Sequence, residues 1–417
     1  MHAVLLSWVA ISVLLSSAMF LVPFGRVADI YGRKRIFLYG VITFTASSLL
    51  CGFSGSAGAL IALRFVQGIG AAMMFGTSMA ILTSVYSIEE RGRVLGIAVA
   101  AVYLGLSLGP FFGGFLTEHL GWRSIFLANV PFGVAIIAAV RLGLKQEWAE
   151  AKGERFDFVG SIVFSLSLLF TMYGFSLLPG PHGFVSICSG ACLGVIFVIW
   201  ESRVESPILN IGLIRSNRVF ALSNLAALIH YSATFAVTFL LSLYLQYIRG
   251  MTPKHAGIIL VCQPLVQTVF SPLAGKLSDR IEPRIVSSAG MGLTVAGLLL
   301  LSLLDRTTGL PVIVSDLALL GLGFALFASP NANAIMSSVE KRFYGVASGS
   351  IATARVMGQM FSMGFTVLVF ALYIGRVRID AASYPLFLKS AKMLFAFFGI
   401  LCSFGVIASL ARGKIRS

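Results

Sequence analysis

Apolar runs long enough to cross a bilayer recur from one end of this 417-residue chain to the other, and no other feature limits its fold so strongly. A hydrocarbon core about 30 Å thick needs roughly 20 helical residues. Thirteen such runs are predicted, at about 3–24, 36–54, 59–85, 94–116, 124–141, 158–178, 184–200, 219–247, 255–275, 285–304, 312–337, 344–374 and 390–411. They are continuously apolar, without the two-residue alternation of a barrel strand, so they read as helices. The expected fold class is an all-α polytopic membrane protein. Only 11% of the residues are charged, against about 25% in soluble domains.

The net charge of +15 has a topological explanation. With the loop at 25–35 on the cytoplasmic side, the loops on that side hold 21 of the 31 basic residues and the opposite side holds eight. Arg64 and Arg355 fall inside spans. This is the positive-inside bias, and it predicts a multi-pass protein of the cell membrane with a cytoplasmic C-terminus. No basic soluble face is left to bind nucleic acid. The five cysteines fall in apolar runs without CxxC or metal-ligand spacing. No GxxxxGK[ST] stretch, paired acids or nucleophile constellation appears, so no enzyme activity, cofactor or metal is expected.

The chain also repeats itself. GRVADIYGRKR at 25–35 is echoed by GKLSDRIEPR at 275–284, aligning Gly25 with Gly275, Arg26 with Lys276 and Asp29 with Asp279. A second echo pairs 67–93 with 320–345. Such repeats point to two similar halves around a central site: an N-terminal bundle at 1–141, two intercalated helices with their linkers at 142–218, and a six-helix bundle at 219–417. The first bundle has five spans, so one helix is missing before residue 3.

Several residues carry possible chemistry. Asp29 is expected about one turn past its helix, bridging to basic residues or helix N-termini of the facing half, with Gly25 and Gly32 allowing a tight turn. Arg26, Arg33, Gly275, Lys276 and Asp279 complete the matched charge clusters. Gly105, Gly109, Pro110, Gly113 and Gly114 give a small-residue helix face that lets a neighbour approach closely, with a bend at the proline. Arg64 and Arg355 are cations at membrane depth and need a partner or a cavity. No acid sits at the bilayer centre; Asp316 comes nearest, and His230 is the other titratable candidate for coupling. Tyr231, Gln263, Gln267, Asn331, Asn333, Arg355 and Gln359 are candidates for the substrate path. A path with few polar groups among aromatic and apolar ones suits amphiphilic organic compounds.

These residues resemble a known family. GRVADIYGRKR resembles the loop signature between the second and third helices of the major facilitator superfamily, and ALIALRFVQGIGAA (59–72) its fourth-helix signature, with Arg64 and Gln67. GLSLGPFFGG (105–114) resembles the fifth-helix motif associated with antiporters. With GWRSIFLANVPFG (121–133) and the intercalated helices, the chain is most similar to the fourteen-span drug:proton antiporters. The resemblance implies a two-bundle fold, a latch at Asp29 that stabilises an outward-open state, and proton coupling through Arg64. It also implies a first helix with an embedded aspartate, which this chain lacks, as a late start codon, a fragment or a true thirteen-span variant would. The expected function is proton-coupled export of amphiphilic compounds by alternating access. The alternatives are a metabolite importer or facilitator of the same fold, and a non-transporting membrane sensor. The sequence leaves the oligomeric state open.

Overall fold

A computed structural model of the chain describes residues 3–87, 89–178, 180–209, 211–373 and 384–413. Fifteen helices follow in order: α1 (Ala3–Tyr31), α2 (Arg33–Gly52), α3 (Ala57–Val85), α4 (Arg91–Leu120), α5 (Arg123–Gly143), α6 (Phe158–Leu177), α7 (Pro181–Glu201), α8 (Ile211–Ser216), α9 (Arg218–Leu243), α10 (Pro253–Leu260), α11 (Cys262–Arg280), α12 (Pro283–Leu301), α13 (Leu310–Ser337), α14 (Tyr344–Tyr373) and α15 (Tyr384–Ala411). No strand occurs among the described residues. Eleven segments meet the length and hydropathy of a membrane span, and α4 and α14, with 30 residues each, run beside them. Among the described residues, each of the thirteen apolar runs falls mainly on helix. Of the basic residues in the topology argument, Arg376, Arg378, Lys414 and Arg416 fall outside the described residues.

One boundary differs from expectation in a way that matters. The stretch 25–35 is not a loop. Helix α1 continues to Tyr31, the chain breaks only at Gly32 (φ 116°), and α2 starts at Arg33. Asp29 therefore sits in the last turn of α1, not beyond it. Gly32 adopts a backbone conformation that favours glycine. Gly25 is mid-helix, and its missing side chain serves close packing instead of a turn.

The first helices α1, α2 and α3 pack on one another, with α5 on α2. A second group, α9 and α11 to α15, surrounds a core that includes Leu240, Phe327, Phe387 and Phe398, all buried. Helices α6 and α7 form a hairpin against α1 and α14. Helix α4 precedes α5 in sequence yet packs chiefly on α11 of the second group. At the end of α15, Arg412 is buried and gathers three helices. It donates to Ser223 Oγ at 3.1 Å, Asn331 Oδ1 at 2.7 Å and Ser287 Oγ at 2.7 Å. Burial pushes its pKa down to about 10, so it stays charged at neutral pH.

Candidate functional site

The two halves meet through a pair of reciprocal helix caps. A helix leaves its first backbone N–H groups without intrahelical partners, and a carboxylate there satisfies them while facing the positive end of the helix dipole. At the end of α1, Asp29 accepts from Gly345 N at 2.9 Å and Val346 N at 3.1 Å, in the first turn of α14. At the end of α11, Asp279 accepts from Gly92 N at 2.8 Å and Arg93 N at 2.9 Å, in the first turn of α4. Each half thus caps a helix of the other, on the same face of the molecule. The matched acids at a spacing of 250 residues have matched partners.

Glycines make these approaches possible. A Cβ at Gly25 would collide with the Gly345 carbonyl, and one at Gly275 with the Gly92 carbonyl, lying 2.9 Å from the Gly92 carbonyl carbon and 2.8 Å from Ser329 Oγ. Backbone meets backbone at both crossings, and neither leaves room for a side chain.

The caps are otherwise unequal. Arg33, fully buried, pairs with Asp29 through Nε at 2.9 Å and Nη2 at 2.7 Å, donates to Ser84 Oγ at 2.8 Å and reaches the Lys341 carbonyl. Its counterpart in the repeat is Pro283, so the position one turn after Asp279 holds no arginine, and Asn333 Nδ2 sits 3.5 Å from the Asp279 Oδ1. Tyr344 packs between two cations, with the Arg33 and Arg91 guanidinium carbons 5.2 and 5.3 Å from its ring centre. Arg26 is buried and pairs with Glu154, whereas Lys276, aligned with it, is exposed. The expected equivalence of Arg26 and Lys276 therefore fails, because only the first half has a linker folded under its turn.

That linker, 144–157, is a component the sequence did not reveal. Glu147 Oε1 accepts from Lys34 N at 2.9 Å, the Trp148 carbonyl accepts from Arg33 N at 2.9 Å, and Ala151 N donates to the Asp29 carbonyl at 3.0 Å. A strap of backbone and acid caps α2 and holds the end of α1. The one available signal was the acids Glu147 and Glu154 opposite a basic stretch. A cavity of about 130 Å³ lies beneath it, lined by Arg26, Glu154, Glu205, Pro207 and Arg342 among others.

The other candidates are dispersed. Arg64 and Gln67 do meet, Nη1 to Oε1 at 2.7 Å; Arg64 also donates to the Val9 carbonyl at 3.0 Å, and Gln67 to Ser48 Oγ at 2.5 Å. His230 is enclosed in the second bundle, its ring centre 4.7 Å from Phe324 and 4.1 Å from Phe327. Asp316 is buried beside Gly297, and neither carboxylate oxygen accepts a hydrogen bond. The eight residues from 316 to 324 separate these two by about 12 Å along α13. Gln263 and Gln267 are buried on α11, and Gln359 is half-buried on α14. Tyr231 packs against Gly358.

Two expectations need correction. Asn331 and Asn333 do not line a path: Asn331 bonds Arg412 and the Ser223 carbonyl, and Asn333 bonds Ser278 and Asp279, because both sit near the end of α13. The glycine face of α4 is also not a close contact in this arrangement. A Cβ at Gly105, Gly109 or Gly113 would meet nothing within 4 Å, while the tight packing of α4 occurs nearer its start, at Gly92 and Gly96. Pro110 and Gly114 lie in the same helix, but their side-chain surroundings fall outside what is described. Gly109→Leu is expected to leave thermal unfolding of the purified protein within about 1 °C of wild type, since surface changes in open space stay near ±0.5 kcal/mol. A larger loss would place a close helix neighbour there.

Two helical bundles spanning a membrane, gripping each other through helix termini, define a polytopic membrane protein of the two-bundle carrier class. The Major Facilitator Superfamily model matches residues 1–363 and 223–415, and the chain belongs to that superfamily, as a transporter and not an enzyme. It is 32% identical over 371 residues to the multidrug resistance protein Stp of Mycobacterium tuberculosis (strain CDC 1551 / Oshkosh), covering 87% of this chain and 68% of that protein. It is 29% identical to the riboflavin transporter RibZ of Clostridioides difficile (strain 630), covering 88% and 80%. The fold is similar to that of the human organic anion transporter MFSD10, with a TM-score of 0.67 over 97% of this chain and 83% of that one. The identity is 15%, so that likeness bears on fold alone.

Proposed function

We propose that this transporter exports amphiphilic organic compounds by alternating access, in antiport with protons, across the cell membrane. The halves 1–141 and 219–417 rock about a midplane site while 142–218 follows, and the face holding Asp29 and Asp279 is cytoplasmic. The observation that carries this reading is the reciprocal capping. Both caps are noncovalent, both join one half to the other, and both lie on one face, so they close that face and can release together. The arrangement described is then the one with its cytoplasmic side shut. The name of Stp supports drugs as cargo; the name of RibZ supports a second reading, a carrier for one defined metabolite.

Arg64 with Gln67, His230 and Asp316 are the groups proposed for coupling. Asp316 is favoured, because its oxygens have no partner and a proton removes the cost of its burial. In proteoliposomes, a pH gradient is expected to drive accumulation of Hoechst 33342 or riboflavin, and a protonophore to abolish it. Asp316→Asn should remove the gradient dependence and leave counterflow exchange. Downhill flux indifferent to the gradient would favour a facilitator. No flux of either probe would leave only a sensor.

A further inference from the structure

Most arginines near or inside the spans are met by an oxygen. Arg26 has Glu154, Arg33 has Asp29, Arg64 has the Val9 carbonyl and Gln67, and Arg412 has three polar side chains. Arg355 differs. It lies eleven residues into α14, about 16 Å from the start of that helix and so near the middle of a 30 Å core. It is half-buried, and among the described residues no carboxylate lies within 4 Å of it. Its nitrogens are not among the buried polar atoms left without a partner, and the side chain keeps part of its surface exposed. Its described partner is the ring of Phe75 on α3, with the guanidinium carbon 5.3 Å from the ring centre.

That ring belongs to the other half. Ser348, two turns before Arg355 on the same face of α14, donates to the Phe75 carbonyl at 3.2 Å, so this face is turned toward α3 and not toward lipid. Gln359 continues the face one turn further and is also half-buried. An exposed cation at this depth is costly without a counter-charge. Asp316, an acid buried within a span, packs against Gly297 on α12 inside its own bundle.

We infer that Arg355 is an anion-reading subsite at the junction of the halves, and that the transported compound is an amphiphilic acid. Its carboxylate or sulfonate sits on the planar guanidinium fork, and its flat apolar body lies against Phe75. Arginine suits this role because its fork matches two acceptor oxygens and stays charged, while the ring beneath it offers an apolar platform. A cationic compound meets only like charge here. This assignment rests on the carrier reading above and narrows its substrate class.

Three probes share one body and differ in charge: dansylglycine, dansylamide and dansylcadaverine. The purified full chain in phosphatidylcholine nanodiscs is expected to bind dansylglycine most tightly. Arg355→Gln should weaken that binding about ten- to a hundredfold, the range of a hydrogen bond to a charged group, and change the other two less than twofold. Arg355→Lys should recover part of the loss. Equal weakening of all three probes, or none, overturns the assignment, as does a wild-type preference for dansylcadaverine, which needs no variant to fold. Proteoliposome flux of the neutral or cationic probe without the anionic one overturns it and leaves the carrier reading standing. Absence of flux for the dansyl probes, riboflavin and Hoechst 33342 alike overturns both.

Discussion

Asp29→Ala is expected to open the face that the caps hold shut and to reduce transport by roughly 2- to 30-fold. The substitution strands three groups at once. The Gly345 and Val346 N–H groups lose their acceptor, and the buried Arg33 guanidinium keeps the Ser84 hydroxyl, the Lys341 carbonyl and the Tyr344 ring but no counter-charge. Removing one partner of a buried ion pair costs about 3–5 kcal/mol, because the remaining charge is uncompensated. Part of that cost falls within the first half, where Asp29 and Arg33 stay neighbours in either arrangement. The part specific to the closed face is the cap on α14, of order 0.5–2 kcal/mol. A shift of about 0.5–2 kcal/mol moves a two-state equilibrium by roughly 2- to 30-fold. Spin labels at the exposed positions Tyr31 and Arg342 should report a longer, broader distance distribution. Asp279→Ala should do less, because that acid is half-buried and has no arginine at its i+4 position, which is Pro283. Unchanged label distances in Asp29→Ala would remove the latch from the mechanism.

Gly275→Val tests the same closure by sterics, and its expected effect is as large. Its side chain would enter the space occupied by the Gly92 carbonyl and Ser329 Oγ. A flexible side chain can move aside, but the backbone of α4 cannot without shifting the helix, and overpacking of this kind costs typically 1–3 kcal/mol or more. The collision with Gly92 is between halves, so separating them relieves it, and within the second half only the Ser329 hydroxyl has to turn aside for the bundle to fold. Transport should fall to background while thermal unfolding of the purified protein changes little, and a crosslink between cysteines on α4 and α11 near residues 96 and 272 should be lost. Retention of that crosslink together with activity would mean the crossing is not required to be tight. Gly25→Val makes the matched test at α1 and α14, where a Cβ would lie 2.9 Å from the Gly345 carbonyl carbon.

Legibility from sequence followed the range of each interaction. The acids at 29 and 279 stood out because a charge beside an apolar run is costly and a matched pair is harder still to ignore. Arg64 and Gln67, three residues apart on one helix face, could be foreseen as neighbours. Their shared attachment to Val9 and Ser48 could not, since it joins three helices. Asn331 and Asn333 misled, because a polar residue in an apolar helix looks alike whether it lines a passage or ties a bundle together. The glycines of α4 misled for a related reason. Gly92 and Gly109 carry the same local signal, and only the neighbour decides that one is a backbone crossing and the other faces open space.

The sequence by itself determined the solvent, the helical class, the repeat and the residues whose burial would need an explanation, since these depend on hydropathy and charge along one segment at a time. Only the tertiary structure decided what answers each charge. Asp29 and Asp279 are met by backbone N–H groups at the starts of α14 and α4, and every non-proline residue carries such a group, so no side chain marks it in advance. A helix start becomes an anion site only when another helix brings an acid to it.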